Sequence, residues 1–248
     1  MILTIDIGNT NTDIGIFENE KIIKYEKIRT CNLLKYNWKI LRKYEIDKIL
    51  AISVVSGVIN KFKKIIKKQV GLFPKIISSQ YNIDMKINYN RKLLGADRML
   101  ACYAVKKLYG YPAIVVNFGT ATTVDIVSSN GEYIGGAIFP GINMCIDALY
   151  EKTSKLPRIK FSFPQNFIGK NTKSCINIGI AYSAIESVKL IIEKIKKKIK
   201  KKVLVIGTGG AVKLINKKIK FDYIDEFLIL KGLNIIGGKY ILKSGSER

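Results

Sequence analysis

Asp6-Ile7-Gly8-Asn9-Thr10 joins an apolar strand to a turn made of glycine, amide and hydroxyl side chains. A glycine turn between two strands can present successive backbone N–H groups. Asn9, Thr10 and Thr12 add side-chain donors, so the tip suits phosphate oxygens. Gly8 permits close approach of a ligand to the backbone. Asp6 repels a bare phosphate but suits a Mg²⁺ ion, or its waters, bridging phosphates. The same residues also describe a plain hairpin whose Asx and threonine hydrogen bonds stay inside the turn.

A second copy of the pattern favours phosphate binding. Leu3 to Phe17 is echoed by Ile114 to Ser128. In each copy an apolar strand reaches Gly8 or Gly119, passes a Thr/Asn-rich turn and returns as a second strand. A further turn, Glu18-Asn19-Glu20 or Ser129-Asn130-Gly131, leads to a third strand. Gly119-Thr120-Ala121-Thr122-Thr123 thus offers the same donors again, and two facing hairpins would clamp a polyphosphate. Gly207-Thr208-Gly209-Gly210 follows an apolar strand and opens a helix. It reads either as side-chain-free backbone beside a nucleotide or as a tight strand-to-helix turn.

Asp97 and Arg98 fall in the first turn of a helix that begins after Gly95-Ala96. One reading is dipole complementation by Asp97 with Arg98 exposed. The other makes Asp97 the acceptor of a hydroxyl proton, with Arg98 neutralising phosphate or substrate charge. Phosphoryl transfer asks mainly for positioning and charge stabilisation, so a carboxylate that orients an alcohol is sufficient. Thr172 reads as the N-cap of a long helix or as a substrate ligand.

Composition removes several chemistries. The chain of 248 residues has no histidine, which excludes Ser-His and Cys-His nucleophiles and leaves a carboxylate or another group as the general base. Cys31, Cys102, Cys145 and Cys175 form no Cys-x-x-Cys pair, against both a zinc site and a disulfide framework. The longest apolar runs are strand-length, and the N-terminus lacks the plan of a secretory signal, so no membrane span and a cytoplasmic location are expected. The net charge of +24 is spread through nearly every segment, with its densest run, Lys194 to Lys202, at the end of an amphipathic helix. That distribution fits a Lys/Ile/Asn bias and attraction of anionic ligands better than specific nucleic-acid binding.

The elements that must position these residues are α/β. Helical spacing covers Cys31 to Tyr44, Val58 to Val70, Gly95 to about Leu108, Met144 to Tyr150 and about Ser174 to Lys200. A last apolar helix lies near Leu230 to Leu242. Buried strands are expected at Lys48 to Val55, Pro74 to Ser78, Val203 to Ile206 and near Phe221 to Ile224. Two repeats of one sheet-building unit predict two lobes of mixed sheets flanked by helices, residues 1–110 and 111–248.

Taken together and in order, these strings resemble the type III pantothenate kinases of the actin/hexokinase/Hsp70 superfamily. The resemblance is carried by Asp6-x-Gly8-Asn9-Thr10 with Gly15 and Phe17, Gly95-Ala96-Asp97-Arg98, and Phe118-Gly119-Thr120-Ala121-x-Thr123. It continues through Gly135-Gly136-x-Ile138-x-Pro140-Gly141, Thr153-x-x-Leu156-Pro157, Ile168-Gly169-Lys170-Asn171-Thr172 and Thr208-Gly209-Gly210. It implies a duplicated two-lobed actin-like ATPase fold and ATP-dependent phosphorylation of pantothenate to 4′-phosphopantothenate, the first step toward coenzyme A. By position, Asp6, Ile7, Gly8, Asn9, Thr10, Asn11, Thr12 and Asp13 would bind ATP, with Thr120 and Gly209 from the second lobe. Gly95, Ala96, Asp97, Arg98 and Thr172 would hold pantothenate, with Asp97 as proton acceptor. The resemblance also implies Mg²⁺, a monovalent cation (K⁺ or ammonium) and a homodimer.

Two positions depart from the family pattern. Where the family usually carries a cation-binding aspartate, this chain has Asn117, whose amide oxygen can be a ligand without the charge. The family's tyrosine and proline, nine and six positions before the catalytic aspartate, are here Asn88 and Arg91. These departures motivate two alternatives: a kinase of another small hydroxylated substrate, and a catalytically weakened relative.

Overall fold

A computed structural model describes residues 1–244, with side chains described through residue 238. The chain divides into two compact units, residues 1–109 with 227–248, and residues 110–226.

In the first unit, β1 (Ile2–Ile7), β2 (Asn11–Glu18) and β3 (Lys21–Arg29) form an antiparallel meander. β4 (Lys48–Ser53) pairs parallel with β1, and the short β5 (Lys75–Ile76) pairs parallel with β4, giving the order β3-β2-β1-β4-β5. Both faces of β1 are covered, which is why it reads as a nearly unbroken apolar run. Leu3, Ile5 and Ile7 point to one core with Trp38, Phe62 and Ile66, the last two from helix α1 (Ile59–Val70). Helix α2 (Ala96–Leu108) is buried along most of its length, including Met99, Leu100, Tyr103 and Ala104.

The second unit repeats the sheet. β6 (Ala113–Phe118), β7 (Ala121–Val127) and β8 (Tyr133–Pro140) form the meander. After α3 (Ile142–Lys152) and α4 (Thr172–Ile199), β9 (Leu204–Thr208) pairs parallel with β6. The four-residue α5 (Val212–Ile215) leads to β10 (Tyr223–Ile224), which pairs parallel with β9, so the order is β8-β7-β6-β9-β10. The duplication expected from the sequence is therefore a duplication of strand order. The connections differ: the third and fourth strands are joined by two 3-10 turns in the first unit and by α3 and α4 in the second. α4 is long and apolar enough to cross a bilayer by length and composition, which strand-length apolar runs did not suggest. Its stripe Ile176, Ile180, Ile185, Val188 and Ile192 is buried in the core of the second unit with Val116, Phe118 and Val205.

Two expectations are corrected. Residues 31–44 form no continuous helix but two 3-10 turns, Thr30–Asn32 and Trp38–Lys43. The buried Trp38 indole donates to the Leu33 carbonyl, and its backbone N–H donates to Gln69 Oε1 on α1 at 2.8 Å. Tertiary partners have taken a donor that a helix ladder would have used. The last helix, α6 (Leu228–Ser244), does not join the second unit: it belongs with residues 1–109 and packs on α2, β1 and β4. It buries Leu228, Leu230, Leu233 and Ile236, while Asn234 donates to the Asn19 carbonyl in the β2–β3 turn.

Candidate active site

Strand register decides what surrounds Asp6. It sits one residue from the end of β1, opposite Asp13 on β2, and Asp13 in turn stands opposite Lys27 on β3. Directly opposed residues share a sheet face, so Asp6, Asp13 and Lys27 form one row. Lys27 Nζ lies 3.2 Å from Asp13 Oδ1, and the Tyr25 hydroxyl donates to the same oxygen at 2.5 Å. The Asp6 carboxyl is held well above the usual carboxylate range. Burial is the first cause, followed by the negative charges of Asp97 and Asp13, with Lys27 opposing them.

The turn beyond Asp6 is braced from inside. The Gly8 N–H donates to the Asn11 carbonyl at 3.0 Å, and a Cβ at Gly8 would come within 2.9 Å of that oxygen. Thr30, at the end of β3, donates its hydroxyl to the Gly8 carbonyl at 2.7 Å and its N–H to the Thr10 carbonyl at 3.0 Å. Thr12 is fully buried with its hydroxyl 3.1 Å from that of Thr30, so it braces the loop instead of offering an outward donor. Ile7 is also fully buried, and its carbonyl accepts from the Val54 N–H. Asn9 and Thr10 are exposed at the tip, and Asn11 and Asp13 are half-buried. Thr30 and Lys27 escaped sequence reading because only strand pairing carries them back to the hairpin.

Asp97 is the second residue of α2, whose N-cap is Gly95. A Cβ at Gly95 would lie 2.4 Å from Asp97 Oδ1, so the carboxylate folds back over the glycine and any larger residue there would displace it. Ala96 is buried and Asp97 half-buried. Arg98 is not the exposed residue that dipole complementation envisaged; it is 7% exposed. Arg91 is tied down too, its carbonyl accepting from Ser79 Oγ at 2.5 Å. Among the described residues no group of three histidine, cysteine, aspartate or glutamate side chains forms a metal cage. A divalent ion at Asp6 would therefore draw its remaining ligands from phosphate oxygens and water. The negative field that raises the Asp6 carboxyl is the electrostatic setting such an ion requires.

In the second unit Asn117 occupies on β6 the place Asp6 holds on β1, one residue before the strand ends and opposite the third residue of the next strand, Thr123. Gly209 and Gly141 are crowded against the segment that follows, and Gly119 is in ordinary contact within it. Gly209, at φ +90°, would bring a Cβ within 2.3 Å of Asn117 Oδ1 and 2.7 Å of the Phe118 backbone. A Cβ at Gly141 would meet the Thr120 carbonyl at 2.2 Å, and one at Gly119 the Ala121 carbonyl at 3.4 Å. Thr120 is exposed on this hairpin. β9 continues through Gly207 and Thr208, and the helix after the turn has only four residues, so no sizeable helix N-terminus stands behind the glycines. Asp125, which sequence reading passed over, is 1% exposed and accepts from Thr123 Oγ1 and the Tyr133 hydroxyl, each at 2.9 Å. Thr172 is not the cap of α4. Asn171 is, in a reciprocal capping box with Ser174, which leaves Thr172 exposed in the first turn.

A repeated mixed sheet flanked by helices, with a glycine hairpin at the same strand junction each time, is the duplicated actin-like ATPase fold. The chain is similar to the activator of 2-hydroxyisocaproyl-CoA dehydratase from Clostridium difficile, solved with bound ADPNP. The two are 13% identical, with a TM-score of 0.53 over 100% of this chain and 97% of that one. A Baf family transcriptional activator from Campylobacter jejuni gives a TM-score of 0.63 at 22% identity over 97% of this chain and 99% of that one. At the level of family, residues 2–194 match type III pantothenate kinase. The type III pantothenate kinase of Moorella thermoacetica is 38% identical over 249 residues, 95% of this chain and 98% of that protein. That of Halalkalibacterium halodurans is 37% identical over 97% of this chain and 100% of the relative. The chain belongs to the type III pantothenate kinase family.

Proposed function

We propose that this protein transfers the γ-phosphoryl group of ATP to the hydroxyl of pantothenate, giving 4′-phosphopantothenate and ADP, at the start of coenzyme A biosynthesis. Membership of the family supports the reaction. The observation that carries the assignment of roles is the Asp97 carboxylate, folded over Gly95 and within electrostatic reach of Asp6 beside the glycine hairpin.

Asp97 is the general base. As the substrate oxygen attacks the γ-phosphorus, Asp97 accepts its proton and the bond from that phosphorus to the β–γ bridging oxygen breaks, leaving ADP. Residues Asp6 to Asp13 form the first unit's phosphate loop, with contacts from the exposed Asn9 and Thr10 and from backbone groups. Thr120 and Gly209 are the second unit's share of the nucleotide contacts. Gly95, Ala96, Arg98 and Thr172 contact pantothenate. Asp6 holds Mg²⁺ directly or through water, and the ion, when bound, neutralises charge developing on the phosphates. Asn117 is the residue for a monovalent cation, K⁺ or ammonium; its oxygen is a weaker attractor than a carboxylate. A homodimeric, cytoplasmic enzyme completes the reading.

The test is steady-state turnover with pantothenate, ATP and Mg²⁺, with and without K⁺. Product is expected from the wild-type chain, and Asp97→Asn should lower kcat by about 10²- to 10⁴-fold, the usual worth of a positioned base. Turnover at the wild-type rate in Asp97→Asn removes Asp97 from this role. A panel of other small alcohols phosphorylated faster than pantothenate would move the substrate assignment, an outcome that Asn88 and Arg91 make worth measuring.

A further inference from the structure

The first phosphate hairpin is acidic, yet its proposed ligand is a polyanion. Asp13 and Asp97 both press negative charge on the Asp6 carboxyl. Like charges opposed across strands are destabilising, and the Asp6–Asp13 pair is directly opposed. A cationic donor on this surface would offset that charge for a nucleotide triphosphate and give it a charge-assisted hydrogen bond.

β3 supplies one. Its register places Lys27 in the row of Asp6 and Asp13. The ammonium is 3.2 Å from Asp13 Oδ1, and the Lys27 side chain remains 39% exposed. Asp13 is itself held: the Tyr25 hydroxyl donates to the oxygen that receives Lys27, and the Tyr25 ring packs edge-on against Phe227, centroids 4.8 Å apart. An ammonium has three N–H donors, so one can stay on Asp13 while the others face a phosphate. An ordinary exposed ion pair would have neither a second acid directly opposite its own across the strands nor a second donor fixing its carboxylate.

Resting on the ATP reading above, we propose that Lys27 is a phosphate-binding residue of the first unit and that Asp13 is a positioning residue that aims it. Asp13 thus serves the nucleotide through Lys27, and the cation of the loop comes from 14 residues beyond it in sequence.

Calorimetric titration of the full chain with ATP and with AMP, both with Mg²⁺, separates the possibilities. Lys27→Met is expected to weaken ATP binding by about tenfold, the worth of one charge-assisted hydrogen bond, while AMP binding stays within about twofold. Lys27→Arg should recover most of the loss, because a cation is restored. Asp13→Asn should weaken ATP binding by about threefold, less than Lys27→Met, since the lysine keeps its charge but loses the carboxylate that aims it. Lys27→Gln serves if the methionine variant does not fold. Equal ATP affinity in Lys27→Met and wild type overturns the assignment, as does an equal loss for ATP and AMP, which a merely structural role would give. A loss in Asp13→Asn as large as in Lys27→Met returns the ligand role to Asp13 and overturns the division of labour. A wild-type chain that shows this pattern but does not phosphorylate pantothenate removes the substrate reading and supports this one. A chain that binds no ATP overturns both.

Discussion

At the scale of single residues, Asp6 shows how a site can oppose the stability of its own fold. Burial and the neighbouring acids hold its carboxyl above the ordinary aspartate value of 3.8, so its favourable contribution is fully present below that pH and is lost as pH rises through the folded value. Asp6→Asn should therefore raise the melting temperature of the nucleotide-free protein at neutral pH, with the gain shrinking to nothing as pH falls below 3.8. Calorimetry across pH, without nucleotide, checks this; a gain independent of pH would assign the effect to packing. The same variant should lose Mg²⁺-dependent ATP turnover. Asp6, Gly8 and Asp97 were legible as candidates because their chemistry is local: an acid at a strand end, a glycine at a turn, an acid at a helix start. The buried state of Arg98 and Thr12 was not legible, since both depend on what packs over them.

At the scale of elements, the glycine turn after β9 owes its residues to crowding. Gly209→Ala would place a methyl at a left-handed φ and against Asn117 and the Phe118 backbone. A destabilisation of more than about 2 kcal/mol is expected in urea unfolding with an unchanged slope. By contrast Asn171→Ala should cost about 1 kcal/mol, the loss of one cap, and Thr172→Ala much less, because the hydroxyl of Thr172 is not the cap. The sequence pattern Asn-Thr-Lys-Ser was compatible with either cap. What chose Asn171 is the reciprocal bond pair with Ser174, a matter of three-residue spacing. Residues 31–44 show the opposite failure: helical periodicity was present, yet Gln69 and Trp38 directed the backbone into short 3-10 turns.

For the whole molecule, the two units differ in how each is completed. The first unit needs its last helix from the far end of the chain, since α6 lies on β1, β4 and α2 and buries Leu228, Leu230, Leu233 and Ile236 among its described residues. Ending the chain at Glu226 should expose that sheet face, so amide exchange in β1 and β4 should accelerate strongly while β6 and β9 keep most of their protection. Equal acceleration in both sheets would mean that α6 supports the whole chain. The positive charge, +24 in total, has no comparable address. Its lysines are distributed, and Lys27 is one that strand register places beside the first hairpin.

The sequence by itself determined the repeat, the two glycine hairpins, the absence of histidine chemistry and the candidate base, because these depend on residue type and short spacing. The order of the strands within each sheet came only with the structure. Tertiary structure alone decided which side chains share a site. Pairing of β3 with β2 brings Lys27 and Thr30 back to the first hairpin, and the return of α6 to the first unit contradicts simple chain order. Both depend on contacts between residues far apart in sequence, and no local pattern records those. The Asp6 hairpin is thus readable from its own residues as a candidate phosphate loop, but the lysine proposed to serve it is placed only by the sheet.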